Sequence, residues 1–258
     1  MQNRVIGEKL AIDNAGVKEF FDKRPQKKLP YLLNYTNYQD NNPELALTRD
    51  EYEAGKIKKY LNLHRGSFIL DIGCGVGRWC AHVLDDIGEN GLYVGIDYSE
   101  NILKLAADNY KNNKNAKFYQ SSFQQITNNL PQDLVSRGFD IVIVNGVLMY
   151  INDDELVTSL SQVKNLLKDG GRLYLKESVG IKERLTLNNI YSAELTSSYS
   201  AIYRSIAEYS SYVQQIFTSG SYSLLHSGDM WEENAKNRRE TTAYFWIIEK
   251  NKVKSEKL

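Results

Sequence analysis

The stretch Ile69-Leu-Asp-Ile-Gly-Cys-Gly-Val-Gly-Arg78 constrains this chain more than any other, because it joins a short apolar run to an amphipathic one through three alternating glycines. Phe68-Ile69-Leu70 reads as a buried strand ending at Asp71, and Arg78–Ile87 as a helix. Gly73, Gly75 and Gly77 let the backbone turn sharply and let a ligand lie against it with no Cβ in the way. In an open α/β sheet the ligand crevice lies beyond the carboxyl ends of the strands. The stretch therefore predicts both a fold class and the place of a site.

The following residues repeat the pattern. Leu92–Ile96 reads as a second strand ending at Asp97, and Ser99 caps a helix whose face carries Ile102, Leu103, Leu105 and Ala106. Ala116–Tyr119 and Phe139–Val144 read as the third and fourth strands. Leu156, Leu160, Val163, Leu166 and Leu167 mark a helix that Gly170-Gly171 ends, and Arg172–Lys176 is a fifth strand. Such alternation means βαβ units on a parallel sheet. The tail breaks the rhythm. An irregular stretch is expected over 178–199, then a helix over about 204–217. Strands at about 221–227 and 242–249 follow with no crossover helix between them, so they must pair antiparallel. In the N-terminal part, short helices are expected near 16–23 and over 44–62, around an irregular tyrosine-rich segment.

Composition narrows the partners. Thirty-two basic residues balance 32 acidic ones, which argues against general nucleic-acid binding. The two cysteines, Cys74 and Cys80, cannot build a disulfide framework, and a reducing cytoplasmic location is expected. No apolar run approaches membrane-spanning length and the start lacks a secretory pattern, so no membrane partner is expected. The histidines have no partner acids at ligand spacing in the sequence, so no metal site is expected either.

Two features indicate an adenosine-type cofactor: the glycine loop, and Asp97, a carboxylate placed to accept from a ribose diol. The loop reads G-x-G-x-G with Asp71 two residues ahead, unlike the dinucleotide fingerprint, and no P-loop occurs. It resembles motif I of the class I S-adenosylmethionine-dependent methyltransferases. Tyr93-Val-Gly-Ile-Asp97-Tyr-Ser99, Phe139-Asp-Ile-Val-Ile-Val-Asn145 and Leu166-Leu-Lys-Asp-Gly-Gly-Arg172 extend the resemblance over roughly 66–249. It implies a Rossmann-like sheet, mostly parallel with an antiparallel C-terminal strand and helices on both faces. Residues 1–65 would form an N-terminal lid segment. Residues 66–258 would be the cofactor-binding core, with an acceptor-covering insertion at 178–204.

The resemblance also implies roles. Asp71, Gly73, Gly75 and Gly77 would hold the methionine part of S-adenosylmethionine, Asp97 the ribose, and Tyr98 would lie against the adenine. Asn145 would face the cofactor. The family usually places an Asp after the third strand to bind the adenine amine. Here Ser121-Ser122-Phe123 stand there, so Ser122, or a backbone group beside Phe123, takes that contact. The product would be S-adenosylhomocysteine.

A hydroxyl acceptor benefits from a general base. His226 is the leading candidate, with Glu177 at the end of the fifth strand as another and Tyr150 as a group that orients the acceptor. Arg204, Tyr203, Tyr38 and Arg49 are candidate acceptor-binding residues. The segment Tyr38–Arg49 and the Tyr203-Arg204 pair are similar to methyltransferases of bacterial polysaccharide and capsule biosynthesis. The expected activity is thus methyl transfer to a polar small molecule, as O-methylation of a sugar or of a phosphorylated or nucleotide-linked capsule precursor. N-methylation of an amine or a protein N-terminus is the alternative. A nicotinamide-dependent oxidoreductase and a non-catalytic cofactor-binding protein stand further off, and a homodimer is left open.

Overall fold

The computed structural model of the 258-residue chain describes residues 3–37, 39–217, 220–235 and 238–252. In chain order the strands are β1 (Arg4–Ile6), β2 (Phe68–Ile72), β3 (Leu92–Asp97), β4 (Ala116–Gln120), β5 (Phe139–Asn145), β6 (Leu167–Gly180), β7 (Leu185–Ser192), β8 (Ser197–Tyr203), β9 (Tyr222–Asp229) and β10 (Thr241–Lys250). The helices are α1 (Asn14–Lys23), α2 (Pro43–Ile57), α3 (Arg78–Ile87), α4 (Glu100–Asn109), the short α5 (Ile126–Asn129) and α6 (Gln132–Arg137), α7 (Asp153–Leu166) and α8 (Ile206–Phe217).

Seven strands form one sheet in the order β4-β3-β2-β5-β6-β10-β9. The first five run parallel, and β10 lies antiparallel between β6 and β9. Period-two alternation divides the strand residues between two cores. Leu70, Ile72, Val142, Val144, Leu173 and Leu175 pack on one face against α7 and α8. Ile69, Ile141, Ile143 and Tyr174 pack on the other, with Trp79 and Val83 of α3 and Ala54 and Ile57 of α2. The expected Rossmann-like sheet and its antiparallel end are therefore present.

The expected irregular stretch at 178–199 is a correction. β6 runs on to Gly180, and β7 and β8 form an antiparallel hairpin. With β1 they make a second, three-stranded sheet in the order β1-β7-β8. The strand signal was hidden because the pairing register shifts between Leu187 and Ile190, where Asn189 adopts φ 55°. The α2 helix is also shorter than expected and tightens into a 3-10 turn at Lys58–Tyr60. A third apolar cluster, with Phe20, Phe21, Tyr199 and Ile202, fastens α1 to the small sheet.

Candidate active site

A cavity of about 840 Å³ lies beyond the carboxyl ends of the parallel strands, between the main sheet, α1, α2 and the small sheet. That is large enough for a cofactor with an acceptor beside it. Its base is the glycine loop. Gly73, Gly75 and Gly77 have φ of +70°, +56° and +78°. The Gly73 and Cys74 N–H groups both donate to the Ile96 carbonyl, at 2.8 and 2.9 Å, which pins the loop to β3. A Cβ on Gly73 would stand 2.4 Å from a Val147 methyl, and one on Gly75 2.7 Å from a Thr36 methyl. Gly73 and Gly75 thus make a cradle at the cavity that only glycine can form, whereas Gly77 lies outside its lining, where a Cβ would stand 2.7 Å from the Tyr110 ring.

Asp97 ends β3 at the cavity wall, 7% exposed. Its carboxylate accepts from the Gly75 and Ser99 N–H groups at 3.0 and 2.9 Å. Burial pushes its pKa up to about 6, against the pull of these backbone bonds. Asp71 is buried beside the loop and accepts from the Tyr93 hydroxyl at 2.5 Å, and burial pushes it up to about 7. Tyr98, Ser122, Phe123 and Asn145 also line the cavity. The Tyr98 hydroxyl is buried with no hydrogen-bond partner among the described residues. The glycine loop, a buried carboxylate and an aromatic ring thus line one cavity.

The ionised form of Asp97 is the one that accepts two hydroxyl hydrogen bonds. Affinity for S-adenosylhomocysteine is therefore expected to be level above about pH 7 and to fall toward about tenfold per unit below pH 6, as protons compete for the carboxylate. Calorimetry across this range checks it, with Asp97→Asn giving a flatter profile. An affinity that stays level down to pH 5 would remove Asp97 as the proton-linked group.

Several expected residues are elsewhere. His226 sits on the outermost strand, β9, exposed and packed at a tilt against Tyr60, 4.3 Å between ring centroids, outside the cavity. It lies midway along an edge strand, level with Ile247 and Tyr174 rather than at the strand ends that border the crevice. Glu177 is fully buried, and its carboxylate accepts from the N–H groups of Val147, Leu148 and Met149 at 2.9, 2.8 and 3.3 Å. Burial raises its pKa to about 7, but its work is to hold the loop after β5. Its neighbours Lys176 and Ser178 face the cavity instead. Arg204 lies between β8 and α8, with no exposed surface. It pairs with Asp153 and donates to the Leu148 and Ile151 carbonyls, so it cannot grip an acceptor. Tyr38 lies outside the described residues.

Tyr150, Tyr203 and Arg49 do line the cavity. The Tyr150 and Tyr199 hydroxyls lie 2.9 Å apart, and Tyr203 donates to Tyr199 at 3.4 Å. Arg49 donates to the Ala235 carbonyl at 3.1 Å, and its guanidinium lies 4.9 Å from the Trp231 ring centre.

The sequence reading missed Glu53. This carboxylate of α2 is 2% exposed at the cavity floor. It accepts from Arg78 at 2.7 Å, Tyr174 at 2.8 Å and the Asn145 amide, and Lys176 lies 3.2 Å away. Burial alone would raise its pKa, yet Arg78 and Lys176 hold it well below the usual range. The legible signal was an acid on the same helical face as Ala46 and Ile57. His82 also has acid partners after all. Asp50 of α2 lies 2.8 Å from it, and the ligand atoms of Asp50, Glu51 and His82 lie within 4.8 Å of one another. Asp50 is already committed to Arg78 at 2.7 Å.

A seven-stranded sheet of this order, with a glycine cradle after β2 and an acid at the end of β3, defines a class I methyltransferase domain. A family model described as a methyltransferase domain matches residues 63–242, and the chain belongs to that family. Among curated proteins, demethylmenaquinone methyltransferase of Staphylococcus carnosus is 29% identical over 136 residues, 53% of this chain and 53% of that protein. Phosphoethanolamine N-methyltransferase 1 of Triticum aestivum is 26% identical over 134 residues, 50% of this chain and 25% of that protein. The matches thus span about half the length of the former and a quarter of the latter.

Solved structures show the same fold. Haemonchus contortus phosphoethanolamine N-methyltransferase 1, in complex with phosphoethanolamine and S-adenosylhomocysteine, superimposes with a TM-score of 0.70 at 17% identity. The match covers 95% of this chain and 50% of that one. Magnesium protoporphyrin IX methyltransferase from Synechocystis PCC 6803, with bound SAM, has a TM-score of 0.58 at 16% identity, covering 95% of this chain and 100% of that one.

Proposed function

We propose that this chain is an S-adenosylmethionine-dependent methyltransferase acting on a polar small-molecule acceptor. The observation that carries the reading is one continuous cavity joining the glycine cradle and Asp97 to a polar chamber beyond Asn145. The bound cofactor would supply an activated sulfonium methyl group. The task of the protein is then to align the acceptor and exclude water. Asp97 would take the ribose hydroxyls, and the glycine loop would lie along the methionine portion. Glu53 fixes the Asn145 amide from below. The lid expected of residues 1–65 and 178–204 would consist of β1, α1, α2 and the β7–β8 hairpin, joined through the pairing of β1 with β7.

Of the expected catalytic groups, His226 and Glu177 do not face the chamber, whereas Tyr150 does. An amine that arrives neutral brings its own lone pair, whereas a sugar hydroxyl needs its proton removed. A neutral amine is accordingly the acceptor that asks least of the chamber, and Tyr150 is the group that would orient a hydroxyl in its place. The printed activity of the phosphoethanolamine N-methyltransferases is in keeping with this.

The test has two parts. S-Adenosylmethionine and S-adenosylhomocysteine should bind in calorimetry and a nicotinamide cofactor should not. A mass-detected screen of amines, phosphorylated sugars and sugar nucleotides should then show a methylated product. Heat with the nicotinamide cofactor alone would overturn the assignment. His226→Ala should leave turnover within about twofold of wild type, since a base at the reacting atom contributes roughly 10²–10⁴-fold. A loss of that size would return His226 to the site.

A further inference from the structure

The chamber beyond Asn145 has a charge pattern that the methyl-transfer reading does not use. Its carboxylates are each held by a cation. Glu53 is ringed by Arg78 and Lys176, Glu240 pairs with Arg4, and Glu194 lies 3.6 Å from Arg238. All of these groups line the cavity, and so does Arg49. With Lys18, Asp71 and Asp97, which line the rest of the cavity, six cations face five carboxylates among the described residues.

The excess is concentrated around one ring. The Trp231 indole has the Arg49 guanidinium 4.9 Å and the Lys176 ammonium 5.8 Å from its centre. Arg49 comes from α2, Lys176 from β6 and Trp231 from the loop after β9, so three separate elements converge. The Lys176 side chain is only 16% exposed. Burial lowers the Arg49 pKa, and the Arg238 guanidinium nearby lowers it further. Like charges crowded in a partly dry chamber are relieved by an anion. Glu53 offers no compensating site for a cationic ligand, because four donors already surround it.

On the methyltransferase reading above, we propose that Arg49 and Lys176 beside Trp231 form an anion subsite, and that the acceptor carries a phosphate or carboxylate bound there. Guanidinium and ammonium groups both recognise such anions, the first through its planar fork and the second as a point charge. With the anion fixed at Trp231, the rest of the acceptor extends toward Asn145 and the cofactor half.

Inorganic phosphate, titrated at constant ionic strength into the protein with and without S-adenosylhomocysteine, tests the subsite. Acetate serves as the carboxylate arm. Saturable binding of one of the two anions is expected in the millimolar range. Arg49→Met and Lys176→Met should each weaken it about 10-fold or more, as expected for loss of a charged hydrogen bond. S-Adenosylhomocysteine affinity should stay within about twofold in both, which also reports a folded cavity. If Lys176→Met does not fold because Glu53 loses a partner, Arg49→Met decides alone. Absence of saturable anion binding, or binding unchanged by the folded variants, would overturn the subsite. So would tetramethylammonium binding there in place of either anion. Failure of S-adenosylhomocysteine to bind would count against the methyltransferase reading instead, with the anion titration still judging the subsite.

Discussion

Replacing Gly75 by valine is expected to weaken S-adenosylmethionine binding by at least about 100-fold. Two physical costs add. The residue sits at φ +56°, where a β-branched side chain is strained by roughly 1–3 kcal/mol. Its Cβ would also stand 2.7 Å from a Thr36 methyl, a contact that must push the loop or the covering segment aside. Either shift moves the Gly75 N–H away from Asp97, 3.0 Å distant, and so disturbs that carboxylate as well. Calorimetry on the folded variant, with circular dichroism to confirm its fold, reads the effect. Asp97→Ala should lose about 10–100-fold by itself, since hydrogen bonds to a charged group contribute about 1.5–3 kcal/mol. Near-normal binding by both variants would place the cofactor somewhere other than this cradle.

Arg204→Ala is expected to destabilise the fold by about 3–5 kcal/mol, the range for breaking a buried ion pair from one side. The guanidinium has no exposed surface and pairs with Asp153 at 2.6 Å. Its loss also strips a donor from the Leu148 and Ile151 carbonyls, at 2.9 and 2.7 Å, on the segment that Glu177 holds through its N–H groups. Arg184, 2.8 Å from Asp153, keeps that carboxylate paired and limits the damage. Thermal unfolding should show a drop on the order of 10 °C for a chain of this size. An unchanged midpoint together with a raised acceptor KM would mean that Arg204 faces the acceptor after all.

Much of the cofactor half was legible because its determinants are local. The three glycines are needed for left-handed backbone wherever the rest of the chain goes, and an apolar run ending in Asp97 gives a strand end in the crevice from the sheet rule alone. Asp71, Tyr98, Ser122, Phe123 and Asn145 follow from the family resemblance of the strand-end motifs, and all five line the cavity. The small sheet was less legible. Its strands β7 and β8 are interrupted by a register shift, and its third strand, β1, is three residues long and pairs with residues far along the chain.

The sequence by itself determined the alternating strands and helices, the glycine cradle and the acid that closes it, because backbone propensity and side-chain period act over a few residues. Only the tertiary structure decided which groups serve the acceptor half. Where β6 passes the end of β5, a single step of strand parity separates Lys176, which faces the cavity, from Glu177, which turns to the loop after β5. Glu53 meets the Asn145 amide from 92 residues away in the chain, through the packing of α2 across the strand ends. Arg204 is drawn into a buried ion pair and His226 is left on an outer edge for the same reason. Side-chain direction on a strand, and the neighbour that satisfies a charge, are set by which elements pack together, and no local pattern encodes that.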